Sequence, residues 1–221
     1  MFLEIKGLLS DTQVARLTEL AASLRFVDGR ATNPANLTKL NLQADQADPK
    51  YSESVQILQT ALARSREFVD FAMPKRLAPP LLCRYEPGMK YGAHADTAII
   101  QVPGARIRSD VSCTIFVAPP ESYDGGELVV TLGTRMIAFK GAAGSAIIYP
   151  STTQHEVRPV TSGQRLVAIT FIESFVADEH RRMQLYELSE VAALEGLKMS
   201  WDGRVRLDVV RQNLMRMWSD T

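Results

Sequence analysis

Histidine and cysteine are scarce in this chain of 221 residues, which has three histidines and two cysteines. Cys83 and Cys113 both lie inside apolar, strand-like stretches, which favours buried, reduced thiols over a disulfide framework. The search for a site built on histidine is short, because His94, His155 and His180 are the only candidates.

A surplus of charge is also missing, because Lys+Arg and Asp+Glu both number 25. No basic field attracts nucleic acid or an anionic membrane, and neither partner is expected. No apolar run approaches the roughly 20 residues that span a bilayer. Residues 1–6 lack the basic region and long apolar segment of a signal peptide, so the sequence predicts a cytoplasmic protein.

The most informative stretch is 84–96, which ends in a His-x-Asp pair. Side chains two residues apart in an extended chain share a face, so His94 and Asp96 are expected side by side. A second histidine would complete the 2-His-1-carboxylate triad that holds non-haem Fe(II). His155 follows an apolar, strand-like run and is the predicted third ligand. His180 lies in the charged start of a predicted helix and is discarded.

Arg165 opens an otherwise apolar strand-like run. If a hairpin with its turn at 161–163 pairs Val157 with Arg165, then His155 and Arg165 lie on one face of adjacent strands. A guanidinium inside a barrel is costly unless an anion meets it. The sequence therefore predicts a bound anion at Arg165. The alternative is that Arg165 starts the strand at the edge of the barrel and reaches water.

The apolar spacing predicts an α+β fold. Helical spacing runs from a capping box at Ser10 to about Leu24, and again over 52–72. Eight short strands follow, at roughly 81–86, 90–94, 111–118, 127–132, 135–140, 145–149, 156–160 and 165–173. Helical spacing returns after residue 174. Together with the triad, this order favours a double-stranded β-helix (jelly roll) flanked by N-terminal and C-terminal helices.

The predicted domain organisation has three parts. Residues 1–76 form an N-terminal helical and strand support, 77–175 form the jelly-roll core, and 176–221 form a C-terminal helical cap. The Met and Trp face of this cap is a candidate homodimer contact. The segment 97–110 is too long for a tight hairpin and is expected to be a mobile lid beside the site.

The ordered motifs resemble the PKHD-type hydroxylases, a bacterial group within the iron and 2-oxoglutarate dependent dioxygenases of the prolyl hydroxylase type. Besides His94-x-Asp96, His155 and Arg165, the resemblance rests on Tyr85-x-Pro87-Gly88, Tyr91, Tyr123-x-Gly125-Gly126-Glu127-Leu128 and Tyr149-Pro150. A lone His-x-Asp pair is a weak signal, whereas the ordered set is specific. The likeness extends over most of the chain.

The resemblance implies a dioxygenase that hydroxylates an unidentified substrate, a small molecule or a protein side chain, and releases succinate and CO2. It implies Fe(II), 2-oxoglutarate and O2, with L-ascorbate as a candidate reductant. Arg165 is expected to bind the distal carboxylate of 2-oxoglutarate and Tyr85 to line the same pocket. A cupin-like metalloenzyme and a non-catalytic iron or 2-oxoglutarate sensor are the alternative readings.

The resemblance also leaves two roles open. Where some prolyl hydroxylases place a tyrosine against the cosubstrate carboxylate, this chain offers Phe116, with Thr114 or Ser112 as candidate hydroxyl donors. Asn41 and Gln43 alternate with apolar residues in a short predicted strand. That strand is either a solvated edge or a substrate contact near the mouth of the site.

Overall fold

The computed structural model describes residues 1–33 and 36–220. Within them lie five α-helices: α1 (Asp11–Ser23), α2 (Tyr51–Arg64), α3 (Arg66–Ala72), α4 (Glu179–Glu195) and α5 (Trp201–Trp218). The strands are β1 (Leu3–Ile5), β2 (Phe26–Asp28), β3 (Lys39–Leu40), β4 (Leu42–Ala44), β5 (Pro74–Leu77), β6 (Leu81–Tyr85), β7 (Lys90–His94), β8 (Ile99–Val102), β9 (Ala105–Arg108), β10 (Val111–Phe116), β11 (Tyr123–Gly125), β12 (Leu128–Leu132), β13 (Arg135–Phe139), β14 (Ala146–Pro150), β15 (His155–Val157), β16 (Val160–Gly163) and β17 (Arg165–Ser174).

Two antiparallel sheets form the core. The larger has the order β1-β14-β10-β17-β6-β4-β2, with β5 also paired to β17. The smaller has the order β13-β12-β15-β7-β3. Apolar side chains from both sheets join one buried cluster, and α1, α2 and α3 pack residues into it from outside. This arrangement is the predicted jelly roll with flanking helices, and the eight strands predicted in the middle of the chain are all present.

The N-terminal part of the chain contributes strands to both sheets. β1 pairs with β14 and β4 pairs with β6 in the larger sheet, while β3 pairs with β7 in the smaller one. The sheets therefore begin well before residue 77. The division into a support, a core and a cap stays a prediction.

The helices differ from the predicted ones at one point. The capping box at Ser10 is present, because Ser10 Oγ accepts from the Gln13 backbone while the Gln13 side chain accepts from the Ser10 backbone. The single helix predicted over 52–72 is wrong, since the chain breaks at Ser65 between α2 and α3. Ser65 has extended backbone angles and its hydroxyl accepts from Phe68 N, so it caps α3.

Two predicted loops are strands. Segment 97–110 was predicted to be too long for a tight hairpin, yet β8 and β9 pair from Ile99 with Arg108 to Val102 with Ala105. Gly104 allows the turn between them because its φ is +73°. The turn predicted at 161–163 belongs instead to β16, which pairs with β11.

The two C-terminal helices pack on each other and on the end of the barrel. Leu185 joins Met73 and Val176 in a small apolar cluster, with Trp218 packed against it. His180 is exposed near the start of α4, as predicted. Of the helices that the structure describes, none combines the length and the apolar character needed to cross a membrane.

Candidate active site

The structure brings His94, Asp96 and His155 together. His94 ends β7 and lies directly opposite His155 on β15, because the two residues are partners in the strand register. Oδ1 of Asp96 lies 3.9 Å from Nε2 of His94 and 3.7 Å from Nε2 of His155. One ligand atom from each residue lies within 4.8 Å of the others. The arrangement is that of a 2-His-1-carboxylate triad.

Backbone carbonyls fix the tautomer of both imidazoles. Nδ1 of His94 lies 2.8 Å from the Gly92 oxygen, and Nδ1 of His155 lies 2.9 Å from the Thr153 oxygen. A carbonyl oxygen can only accept a hydrogen bond, so each Nδ1 carries the proton and each Nε2 presents a lone pair towards Asp96. Burial, together with the neighbouring His155, lowers the pKa of His94 to about 4. The residues present therefore fit a divalent metal at neutral pH.

Ser112 orients the carboxylate of Asp96. Its Oγ donates to Oδ2 of Asp96 over 2.6 Å and lies 2.7 Å from Oγ of Ser151. Since Ser112 has one hydroxyl proton and gives it to Asp96, Ser151 is the donor of the second bond. Oδ2 is thereby occupied and Oδ1 is directed at the imidazoles.

Arg165 is buried in the barrel, with 1% of its surface exposed. It does not reach water, so the alternative position at the edge is wrong. Its Nε has no hydrogen-bond partner among the described residues, and no carboxylate there forms an ion pair with it. A buried guanidinium without a protein anion indicates that an anionic ligand pairs with it. The chain thus fits a carboxylate ligand at this end of the site.

Arg165 and His155 lie in different sheets, so the predicted hairpin between them is wrong. Arg165 pairs with Tyr85 in the larger sheet, whereas His155 pairs with His94 and Val130 in the smaller one. β16 lies between them in sequence and pairs with β11, so the chain leaves one sheet before it enters the other. The two groups face the same interior from opposite walls of the barrel.

Two tyrosines surround these groups. Tyr85 is buried, and its ring lies 4.9 Å from the guanidinium carbon of Arg165. Burial raises its pKa above the usual value of 10.0, so the phenol stays neutral. Tyr91 stacks on the imidazole of His94 with 3.6 Å between ring centroids. Both tyrosines line the cavity described below, which fits the predicted pocket position of Tyr85.

Phe116 is buried on the face of β10 that also holds Ser112 and Thr114, but it does not line the cavity. Ser112 and Thr114 do line it. Because Ser112 is engaged with Asp96, Thr114 is the better placed of the two predicted hydroxyl donors. Its assignment to the cosubstrate stays a prediction.

A cavity of about 490 Å³ joins these residues into one site. It runs past the triad and Arg165 and continues between the β8–β9 hairpin and residues 31–33. The hairpin therefore lies at the place predicted for a lid.

Sequence reasoning missed Lys39 as a site residue. The strand 39–43 was read as solvated or as substrate-facing through Asn41 and Gln43, yet all three polar residues are buried and Leu40 is exposed. Lys39 lines the cavity, whereas Asn41 and Gln43 do not. A polar residue at every second position of a short strand is expected whether that face meets solvent or lines a cavity. The alternation alone therefore could not identify Lys39 as a site residue.

Comparison with known proteins gives a consistent picture. Residues 80–173 match the model of the 2OG-Fe(II) oxygenase superfamily. The chain is 51% identical over 211 residues to a PKHD-type hydroxylase of Sphingopyxis alaskensis, with 96% of both chains covered. Its fold is similar to that of a 2OG-Fe(II) oxygenase family oxidoreductase from Burkholderia pseudomallei, with a TM-score of 0.60, 21% identity, and coverage of 78% of this chain and 85% of that chain. A Pseudomonas putida prolyl-4-hydroxylase matches with a TM-score of 0.55, 17% identity, and coverage of 78% and 92%.

Proposed function

The chain belongs to the PKHD-type hydroxylases of the 2OG-Fe(II) oxygenase superfamily. From this premise we propose which residues bind the iron and which bind 2-oxoglutarate. It is an Fe(II)- and 2-oxoglutarate-dependent dioxygenase, not the cupin-like metalloenzyme or the sensor that the sequence left open. We assign the iron to His94, Asp96 and His155. The observation that carries the assignment is the convergence of two imidazole Nε2 atoms on Oδ1 of Asp96.

Arg165 holds the distal carboxylate of 2-oxoglutarate in this proposal. Its burial without a protein anion supports the role, since a planar guanidinium pairs with a carboxylate through two parallel hydrogen bonds. Tyr85 forms the wall beside it. Glycine at position 126 leaves room for the side chain of Arg165, because a Cβ at that position would lie 3.0 Å from Cδ of Arg165.

Bound Fe(II) supplies the oxidising chemistry, in which 2-oxoglutarate and O2 give succinate, CO2 and a hydroxylated substrate. The protein orients the reactants and excludes water. Ser112 and the carbonyls of Gly92 and Thr153 hold the ligands in place before the metal arrives. The β8–β9 hairpin covers the cavity, and the backbone of Arg108 anchors it to Glu173 over 3.1 Å.

The substrate we propose is a small molecule or a protein side chain that enters beneath the β8–β9 hairpin. L-ascorbate is the proposed reductant, and the cytoplasm is the proposed location. Nucleic acid and membranes are not proposed as partners, because Lys+Arg and Asp+Glu both number 25 and leave no basic surplus to attract either. Exposed apolar residues on α5, among them Trp201, Val205 and Val209, support a homodimer formed through the C-terminal helices.

Metal binding and cosubstrate turnover test the proposal. The wild-type chain should bind one Fe(II) or Mn(II) anaerobically. When O2 is then admitted, it should convert 2-oxoglutarate to succinate only with iron present. Asp96→Ala should bind neither metal, because it removes the one anionic ligand of the triad. Asp124→Ala is the matched control, since Asp124 is an exposed aspartate on β11. Metal binding of full affinity in Asp96→Ala would contradict the ligand assignment.

A further inference from the structure

Lys39 is a buried cation in the wall of the active-site cavity. It lies on β3 with 5% of its surface exposed, and its side chain lines the cavity that holds the triad. Its Nζ donates to Oγ1 of Thr32 over 2.7 Å. Across residues 1–33 and 36–220, no carboxylate comes within the 4.0 Å of Nζ that defines an ion pair. Burial lowers the pKa of Lys39.

The groups in contact with Lys39 do not compensate its charge, and the carboxylates of Asp96 and Asp28 act on it only from beyond 4.0 Å. Thr32 accepts from Nζ and its hydroxyl donates in turn to Oε1 of Gln43 over 2.9 Å, and both of these side chains are neutral. The ring of Tyr91 lies 5.4 Å from Nζ. An ammonium has three donors and is costly to bury without an anion. Lys39 is therefore not expected to stabilise the folded state.

The charges that line the cavity balance without Lys39. Its charged lining side chains are Lys39, Asp96 and Arg165. Bound Fe(II) brings two positive charges and 2-oxoglutarate brings two negative ones. These charges and those of Asp96 and Arg165 cancel, with both histidines neutral as ligands. Lys39 then remains as one unmatched positive charge in the wall of the cavity.

Lys39 lies on a different sheet from Arg165, the residue proposed to bind the cosubstrate. Arg165 projects from β17 in the larger sheet, whereas Lys39 projects from β3 in the smaller sheet, where its partner in the register is Tyr91. Tyr91 in turn stacks on His94. Lys39 is therefore on the metal side of the cavity, where a group to be oxidised must be held.

We infer that Lys39 binds a carboxylate of the primary substrate, so that the substrate is an organic acid bearing that carboxylate close to the carbon that reacts. A single carboxylate matches the single unmatched charge. The inference rests on the proposed function, because it takes the iron and 2-oxoglutarate sites as assigned above.

Paramagnetic broadening tests the inference without turnover. The full chain is loaded with Mn(II) and saturating 2-oxoglutarate, and the proton line widths of butyrate and of neutral butyramide are compared. Butyrate should bind about tenfold or more tightly than butyramide and be broadened accordingly. Lys39→Met should remove this difference, and Lys39→Arg should keep part of it. Lys90→Met should leave it intact, because Lys90 is an exposed lysine on the adjacent strand β7.

The outcomes separate this inference from the proposed function. Binding of Mn(II) and 2-oxoglutarate is measured first, and its absence in the wild-type chain would contradict the proposed function. If both bind but butyrate and butyramide behave alike, the inference fails alone. It also fails if Lys39→Met weakens 2-oxoglutarate binding, since Lys39 would then belong to the cosubstrate site. The melting temperature should rise in Lys39→Met, whereas a lysine with a structural role would give a fall.

Discussion

Oγ of Ser112 donates a 2.6 Å hydrogen bond to Oδ2 of Asp96, which leaves Oδ1 of that carboxylate facing His94 and His155. Ser112 is on β10 of the larger sheet, while the histidines belong to the smaller sheet. The bond therefore ties the metal site together across the interior of the barrel. It also lets the carboxylate keep one orientation before a metal binds.

Ser112→Ala should weaken Mn(II) binding by roughly 10- to 100-fold, because Asp96 loses the partner that orients it. The measurement is an anaerobic Mn(II) titration followed by electron paramagnetic resonance. Ser109→Ala is the control, since Ser109 is also buried but its Oγ has no hydrogen-bond partner among the described residues. Equal affinities in the two variants would show that the orientation of Asp96 does not depend on Ser112.

Glu173 should make the stability of the fold depend on acid pH. It is buried, but the hydrogen bonds from Arg76 and from the Arg108 backbone outweigh that burial and lower its pKa below the usual 4.5. A carboxyl with a lowered pKa stabilises the folded state above pH 4.5, and this contribution is lost as the pH falls through the folded-state pKa. Glu173→Gln should lower the melting temperature at pH 7 and flatten its fall below pH 4.5.

The control for Glu173 is Glu121→Gln, which neutralises an exposed glutamate. Melting curves followed by circular dichroism between pH 3 and pH 7 give the comparison. If both variants follow the wild-type profile, the ion pair with Arg76 does not contribute to stability. The bond to the Arg108 backbone also predicts faster hydrogen exchange in β8 and β9 when Glu173 is replaced.

The sequence was sufficient for the eight predicted strands and for the pair of His94 and Asp96, because both depend on local periodicity. His94 and Asp96 share a face through their spacing alone, and the strand β7 was predicted with the bounds that the structure has. Pairing between distant strands has no such local signal. Arg165 was therefore assigned the wrong neighbour, Ser112 was predicted as a donor to the cosubstrate and not to Asp96, and Lys39 was not recognised as part of the site. Their roles depend on which sheet each strand joins, which spacing does not encode.

The apolar face of α5 should mediate dimerisation. Trp201, Val205 and Val209 recur every four residues, so they lie on one side of the helix, and Trp201 is 74% exposed. Val209→Glu would place a charge in the dimer interface and should convert the dimer to a monomer. Sedimentation velocity measures this. Leu132→Glu is the matched control, because Leu132 is an exposed apolar residue on β12. A monomeric wild-type chain, or a Val209→Glu variant that stays dimeric, would contradict the prediction.

Arg165 gives the sharpest test of the cosubstrate site. Its guanidinium is buried and has no protein anion, so the loss of its bidentate contact to the distal carboxylate of 2-oxoglutarate is not compensated by water. Arg165→Ala should cost about 2–4 kcal/mol of cosubstrate binding, roughly 30- to 1000-fold in affinity. Arg165→Lys should recover part of this, because an ammonium cannot present the planar fork. The measurement is an anaerobic titration that follows the metal-to-cosubstrate absorption band.

Iron affinity measured without 2-oxoglutarate shows whether an Arg165 substitution disturbs only cosubstrate binding or the whole site. It should stay unchanged in both Arg165 variants, because Arg165 lies on β17, whereas His94 and His155 lie on β7 and β15 and Asp96 follows β7. Tyr85→Phe is the second control, since it keeps the ring beside the guanidinium and removes only a hydroxyl. Equal 2-oxoglutarate affinity in wild type and both Arg165 variants would place the carboxylate elsewhere. A parallel loss of iron affinity would instead mean that Arg165 is needed for the structure of the barrel.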